Sequence, residues 1–305
     1  MSEAAAFSSG KGHRDENFPV ASVFVAARHR PAILAFYRFV RTADDVADHA
    51  GASAEDKLRL LESMRLSLMG ASDFSPEGAA LRKLLAERGL TTDHAADLLE
   101  AFRRDVTKLR YADWSELMDY CRYSAMPVGR YVLDVHGEDR AVWPLSDALC
   151  AALQVINHLQ DCAKDYRSLD RIYLPLDIMA EHGATPDMLA GARATPALRS
   201  VIAALARRNA GLLTQSAPFA AHIKDHRLAL EVSLIQRLAE DLNAKLMVRD
   251  PLSERVHHRK LELPGFAVSA FARFLDARLR PSVVVSKFAP SALSGCKRTS
   301  KPKRH

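Results

Sequence analysis

The sequence predicts an all-α protein that folds as a single domain. Apolar residues recur at helical spacing along most of the 305 residues, and no run shows the alternation typical of a β-strand. Hydrophobic residues make up 48% of the chain, which is enough to bury a large core. Because no repeat or linker divides the chain, we expect about ten helices in one domain over residues 1–286, followed by a tail over residues 287–305.

The helices of the first half are placed by their capping residues. Pro31 suits the first turn of a helix that runs to about residue 50, and Ser53 starts the next helix, which runs to about residue 69. Ser75 opens a third helix, and Thr92 heads a long fourth one.

Capping and breaking residues also divide the second half. Asp113 and Glu116 form a capping box, and Pro127 and Gly129 predict a break within "MPVGRYVLDVHG". Ser146 is expected to cap the apolar helix that contains "QVINHLQDCAKDY". After a loop containing "DRIYLPLD", further helices are expected at about 186–190, 196–216 and 221–248 and, more weakly, after Pro264.

The positive charge of the chain is concentrated in the tail. The formal net charge is +6, and the tail holds six basic residues and no acid, so that residues 1–286 are balanced. A balanced body predicts no nucleic-acid partner. The tail is interpreted as a solvated, disordered terminus, with a weak tether to anionic lipid as the alternative.

Cysteine usage and hydropathy favour a cytoplasmic protein. The four cysteines form no C-x-x-C pair, and three of them lie in apolar helical patterns where a free thiol usually packs as a small hydrophobe. No apolar run approaches the roughly 18 residues of a membrane span, and the first residues lack the apolar run of a signal peptide. Membrane association is therefore expected only at the surface.

The first candidate site is the acidic segment "RTADDVAD", residues 41–48. On a helix, Asp44 and Asp48 are four residues apart and share a face, whereas Asp45 points about a quarter-turn away. Two carboxylates on one face of an apolar helix repel each other, so that something must compensate their charge. Arg41, one turn before Asp44, can do part of this.

A second stripe of oxygen ligands lies in "QVINHLQDCAKDY". Asn157, Asp161 and Asp165 are spaced four and four along an apolar helix, and Gln154 and Gln160 add polar groups. A lone DDxxD occurs by chance on solvated helices, but two such stripes on apolar helices favour a metal site. Oxygen ligands without His or Cys favour more than one Mg²⁺, which would bind an anionic group such as a diphosphate. No P-loop and no GxGxxG is present.

These segments resemble the squalene/phytoene synthase family of head-to-head prenyl synthases. The matching stretches, in family order between about residues 16 and 260, are "FYRFVRTADDVAD", "DVTKLRY", "YCRYSAMPVG", "NHLQDCAKD" and "RIYLP". The resemblance implies an isoprenoid-synthase helical bundle around a central cavity. "ENFPVAS" and "DVTKLRYADWSELMDYCRYSAMPVG" are most similar to the hopanoid-pathway branch that converts presqualene diphosphate to hydroxysqualene and releases diphosphate.

The resemblance also implies roles for individual residues. It matches metal ligands to Asp44, Asp48, Asn157, Asp161 and Asp165, and it makes the four aspartates and Arg41 catalytic. Tyr37 and Arg41 match substrate-contacting positions, and Tyr123 and Gln154 match positions that line the cavity. Gln160 stands where many relatives carry an arginine, so Lys164 or Arg41 would replace the missing contact to the diphosphate. Asp105 and Arg110 are expected to form a structural ion pair near the cavity.

The substrate and the reaction stay open between related alternatives. The resemblance implies presqualene diphosphate or farnesyl diphosphate as substrate, and other enzymes of the squalene pathway as partners. The first alternative is a presqualene diphosphate, squalene or phytoene synthase that condenses two prenyl diphosphates. The second is a non-catalytic assembly factor of the same fold.

Overall fold

The computed structural model describes residues 25–258 and 262–279, and the regular elements within these ranges are helices joined by loops. Its helices are α1 (Arg30–Asp48), α2 (Ala54–Met69), α3 (Pro76–Arg88), α4 (Asp93–Thr107), α5 (Trp114–Ser124), α6 (Met126–His136), α7 (Trp143–Leu169), α8 (Leu176–Glu181), α9 (Pro196–Ser216), α10 (Phe219–His222), α11 (His226–Val248) and α12 (Leu263–Leu279). Short 3₁₀ helices span Arg140–Val142 and Pro186–Ala190, and a single bridge joins Arg110 to Ile172. The predicted all-α class is confirmed. The segment "ENFPVAS" and the basic tail lie outside the described residues.

Most of the predicted helix starts are confirmed by their caps. The side chains of Ser53, Ser75 and Asp113 each accept a hydrogen bond from a backbone N–H three residues further on. Such a bond satisfies a donor that the first turn of a helix leaves free. Helix α4 begins directly after Thr92, as expected, although the hydroxyl of Thr92 makes no capping bond.

Two boundaries differ from the prediction. Helix α7 begins at Trp143, since Pro144 fits its first turn, so Ser146 is not its cap. Ser146 is buried against α6 instead, where a Cβ on Gly129 would lie 2.4 Å from the Ser146 Oγ. The helix expected at 221–248 is divided into α10 and α11 because the carboxylate of Asp225 caps a new start for α11.

The core consists of two apolar clusters that share α6. Helices α1 to α4 form one cluster, to which α6 contributes Tyr131, and α7, α9 and α11 dominate the other, to which α6 contributes Leu133. The break predicted within "MPVGRYVLDVHG" is wrong, because Met126–His136 form one helix and the chain breaks just before it, at Ala125. None of the described helices has both the length and the apolar character required to cross a bilayer.

Candidate functional site

A cavity of about 570 Å³ lies between the two clusters and is lined mainly by α1, α4, α5, α6, α7 and α11. Its wall is mostly apolar, with large side chains such as Phe36, Phe102, Leu149 and Leu153. Acidic and basic residues line it near the C-terminal ends of α1 and α7. The cavity therefore has an acidic end and an apolar chamber, as the binding site of a lipid with a charged head group requires.

The first predicted stripe lines this cavity. Tyr37, Arg41, Asp44 and Asp48 are among its lining residues, because they recur every three or four positions along α1. The Nη1 of Arg41 lies 2.7 Å from the Oδ2 of Asp44, and its Nη2 lies 2.6 Å from the Oδ1 of Asp45. Asp45 is buried outside the cavity lining, as its offset on the helix predicts.

The second stripe reaches the same cavity from α7. Gln154, Asn157 and Asp165 line it, and Asp161 borders a smaller neighbouring pocket formed with residues 251–257. Four of the five predicted oxygen ligands thus line one cavity, and Asp161 lies next to it. The Nζ of Lys164 lies 3.7 Å from the Oδ2 of Asp161.

The two stripes act on each other electrostatically. Burial and, to a lesser extent, the charge of Asp48 raise the pKa of Asp44 to about 7, and the charge of Arg41 opposes both effects. Burial likewise raises the pKa of Asp165 to about 7, with Asp161 and, across the cavity, Asp48 adding to the shift. So many carboxylates in one enclosed place cannot all ionise cheaply without cations. The oxygen-only donor set is chemically suited to Mg²⁺.

A buried arginine that the sequence pattern did not single out joins the acidic end. The side chain of Arg171 is 7% exposed, and its Nη1 donates to the Oδ1 of Asp48 at 2.9 Å. Its Nη2 donates to the backbone oxygen of Asp105 at 3.1 Å. The hydroxyls of Tyr120 and Tyr173 donate to the Asp105 carboxylate at 2.8 and 2.7 Å. All five of these residues line the cavity.

The predicted ion pair between Asp105 and Arg110 is wrong. The Nη2 of Arg110 lies 2.6 Å from the Oδ1 of Asp170, because Arg110 lies beyond the end of α4, beside the chain that follows α7. Burial raises the pKa of Asp105 to about 6, and Arg171 is the main group that opposes this shift. The sequence carried one signal for these contacts to Asp105: Arg171 and Tyr173 both lie within the segment "RIYLP", which resembles the family.

Three residues predicted to bind substrate lie outside the cavity lining. The ring of Tyr123 lies 4.2 Å from the guanidinium of Arg104 and 4.9 Å from that of Arg122. Gln160 is buried and donates to the backbone oxygen of Val256, and Lys164 is exposed beside Asp161. Successive residues on a helix point about 100° apart, so Tyr123 points away from its neighbour Ser124, which lines the cavity.

Comparison with known proteins agrees with this geometry. The family model of squalene/phytoene synthase matches residues 12–262. A hydroxysqualene synthase of Rhodopseudomonas palustris is 53% identical over 92% of this chain and 96% of its own length. A hydroxysqualene synthase of Zymomonas mobilis is 57% identical over 88% of this chain and 91% of its own length.

A solved structure shows the same architecture. The crystal structure of a squalene synthase from Alicyclobacillus acidocaldarius matches with a TM-score of 0.67 and 35% identity, covering 80% of this chain and 91% of that one. The chain therefore belongs to the squalene/phytoene synthase family of enzymes.

Proposed function

We propose that this enzyme converts presqualene diphosphate to hydroxysqualene and releases diphosphate, in a Mg²⁺-dependent reaction of squalene and hopanoid biosynthesis. One observation carries the proposal: carboxylates from two helices meet at the end of an apolar cavity. The acidic end suits a diphosphate with its cations, and the chamber suits prenyl chains. The choice of this reaction within the family follows the two hydroxysqualene synthases that are more than half identical to the chain.

The residues that would hold Mg²⁺ are those of the two stripes, namely Asp44, Asp48, Asn157, Asp161 and Asp165. Bound there, the metal would supply positive charge that stabilises diphosphate as it leaves.

The chain's own cations complement that role. Arg41 lies between Asp44 and Asp45, and Arg171 is fixed by Asp48 and Asp105, so both guanidinium groups are positioned before substrate arrives. Positioned positive groups stabilise charge that develops on a leaving group without a cost of reorganisation.

When diphosphate leaves, a carbocation would remain in the cavity. The rest of the cavity wall would protect this carbocation from water. Apolar side chains keep bulk water out, and the aromatic ring of Tyr120 in the lining can stabilise positive charge. His158 stacks on Tyr173 with ring centroids 3.6 Å apart, and burial lowers its pKa to about 3. A neutral imidazole adds an aromatic face here without adding a cation that would repel the intermediate.

The test is a two-substrate assay. The purified chain is given presqualene diphosphate or farnesyl diphosphate, with Mg²⁺ or with EDTA, and the C30 product is identified by mass. We expect presqualene diphosphate to be consumed only with Mg²⁺, giving an alcohol and free diphosphate. Consumption of farnesyl diphosphate alone would identify a condensing synthase instead, and consumption of neither would favour a non-catalytic assembly factor.

We also propose a cytoplasmic location with contact to a membrane surface, which would deliver the lipid substrate. On α12, Val268, Phe271 and Leu275 are exposed at a spacing of three and four, so they form one apolar stripe. The basic tail follows this helix in the sequence, and anionic lipid attracts basic segments. Sedimentation with anionic but not with zwitterionic vesicles is expected, and it should weaken when Phe271 is changed to serine.

A further inference from the structure

The segment that contains α5 and α6 runs antiparallel to α7 along the cavity. The ring of Tyr120 on α5 lies 5.9 Å from that of His158 on α7. Further along the chain, Gly129 on α6 approaches Ser146, which lies earlier on α7. Residues at the same depth in the cavity can therefore be found by counting forward from Tyr120 on α5 and backward from His158 on α7.

This matching places Ser124 and Gln154 at the same level. Ser124 is four residues after Tyr120, Gln154 is four residues before His158, and both line the cavity. Each is about one helical turn, roughly 5–6 Å, from the acidic end. Beyond Ser124 the next residue of the lining is Val128. Ser124 and Gln154 thus lie at the boundary between the acidic end and the apolar chamber.

The hydroxyl of Ser124 lacks a partner at this boundary. Its Oγ is buried and makes no hydrogen bond within the described ranges. Other hydroxyls of the lining are engaged: those of Tyr120 and Tyr173 donate to Asp105, and that of Tyr131 donates to a backbone oxygen. Rotation about a single bond redirects a serine hydroxyl, and a water molecule in the cavity would satisfy it.

We propose that Ser124 positions the water molecule that forms the product alcohol, a role that rests on the proposed function. The water would donate hydrogen bonds to the Ser124 Oγ and the Gln154 side-chain oxygen, which leaves a lone pair free. That lone pair forms the C–O bond with the carbocation, and the resulting oxonium loses its proton to the diphosphate already released. Atoms and charge balance, and no oxidant or reductant is needed.

The experiment separates ionisation from capture by water. Wild type, Ser124→Ala, Ser124→Cys and Ser124→Thr are each given presqualene diphosphate and Mg²⁺ in H₂¹⁸O. Diphosphate release is measured beside the ¹⁸O-labelled alcohol as a share of all C30 products. Ser146→Ala, the same change in the apolar chamber, is the matched control, and Glu231→Gln tests a buried acid of the lining as the rival.

Removing the hydroxyl is expected to alter the product and not the ionisation. In Ser124→Ala and Ser124→Cys the alcohol share should fall about fivefold in favour of hydrocarbons, with diphosphate release near wild type. Ser124→Thr and Ser146→Ala should keep the wild-type share.

The proposal is overturned if Ser124→Ala keeps the wild-type alcohol share, or if Ser146→Ala or Glu231→Gln lowers that share as much. If Ser124→Ala does not fold, the alcohol share of Ser124→Cys decides in the same way. If wild type itself makes no alcohol, the proposed function has failed instead.

Discussion

The two acidic stripes that meet at the cavity are held in place differently. On α1, Asp44 and Asp48 each contact an arginine, at 2.7 Å from Arg41 and 2.9 Å from Arg171. The arginine side chains are only 20% and 7% exposed, and their partners Asp44 and Asp48 are 35% and 40% exposed, so solvent screens these pairs in part. The α1 stripe is therefore organised by the protein's own positive charges.

The α7 stripe has much weaker support. The nearest cation to Asp161 among the described residues is Lys164, at 3.7 Å and with 60% of its side chain exposed. An exposed pair of this kind contributes little, so Arg171, which also acts on Asp165, is the other cation that opposes the repulsion between Asp161 and Asp165. Under the proposed function, the side chains of the α1 stripe would be positioned before diphosphate binds, whereas the carboxylates of the α7 stripe would need bound cations to lie close together.

The largest expected effect comes from removing a carboxylate of the α1 stripe. Asp44→Ala should lower diphosphate release by at least about 100-fold, because the cation that Asp44 would hold stabilises the negative charge that develops on the diphosphate. The fold should persist, since the helix keeps its apolar face. Diphosphate release with Mg²⁺ and circular dichroism check both points. Asp73→Ala, at an exposed pair with Arg82, should change neither, and normal turnover of Asp44→Ala would refute its role as a ligand.

A smaller effect is expected at the arginine that fixes Asp48. Arg171→Lys keeps the charge but loses the planar fork that reaches Asp48 and Asp105 together. Diphosphate release should fall about 10- to 100-fold. Arg110→Lys, at the more exposed pair with Asp170, is the matched control and should stay near wild type. If both variants lost diphosphate release equally, Arg171 would contribute no more to the reaction than the more exposed Arg110.

The difference in charge compensation between the two stripes should also appear in the melting temperatures of variants. Without metal, Asp165→Asn removes one of two repelling carboxylates and should raise the melting temperature by about 2–4 °C. Asp44→Asn should give no such gain, because it leaves the guanidinium of Arg41 with one partner fewer. Mg²⁺ should raise the melting temperature of wild type more than that of Asp165→Asn. A gain of equal size in both metal-free variants would contradict the difference between the stripes.

Local spacing explains which features were predictable from the sequence. The face shared by Asp44 and Asp48 and the caps at Ser53 and Ser75 depend on residues within four positions of each other. The contact between Asp48 and Arg171 joins residues 123 positions apart, and only the packing of α1 beside the loop after α7 creates it.

The smallest expected effect lies at a tyrosine that the family pattern favoured. The hydroxyl of Tyr123 accepts a hydrogen bond from Arg122 at 2.6 Å, outside the cavity lining. Tyr123→Phe should therefore keep diphosphate release within about twofold of wild type, since exposed polar contacts contribute little.

The matched change is Tyr120→Phe, one turn earlier on α5. It removes one of the two hydroxyls that donate to the buried Asp105, and a buried carboxylate deprived of a donor is costly. Diphosphate release should fall about 5- to 10-fold, because Asp105 helps to fix Arg171. If Tyr123→Phe were the more damaging of the two, the substrate would have to reach the outer face of α5. The division between the acidic end and the surface would then be wrong.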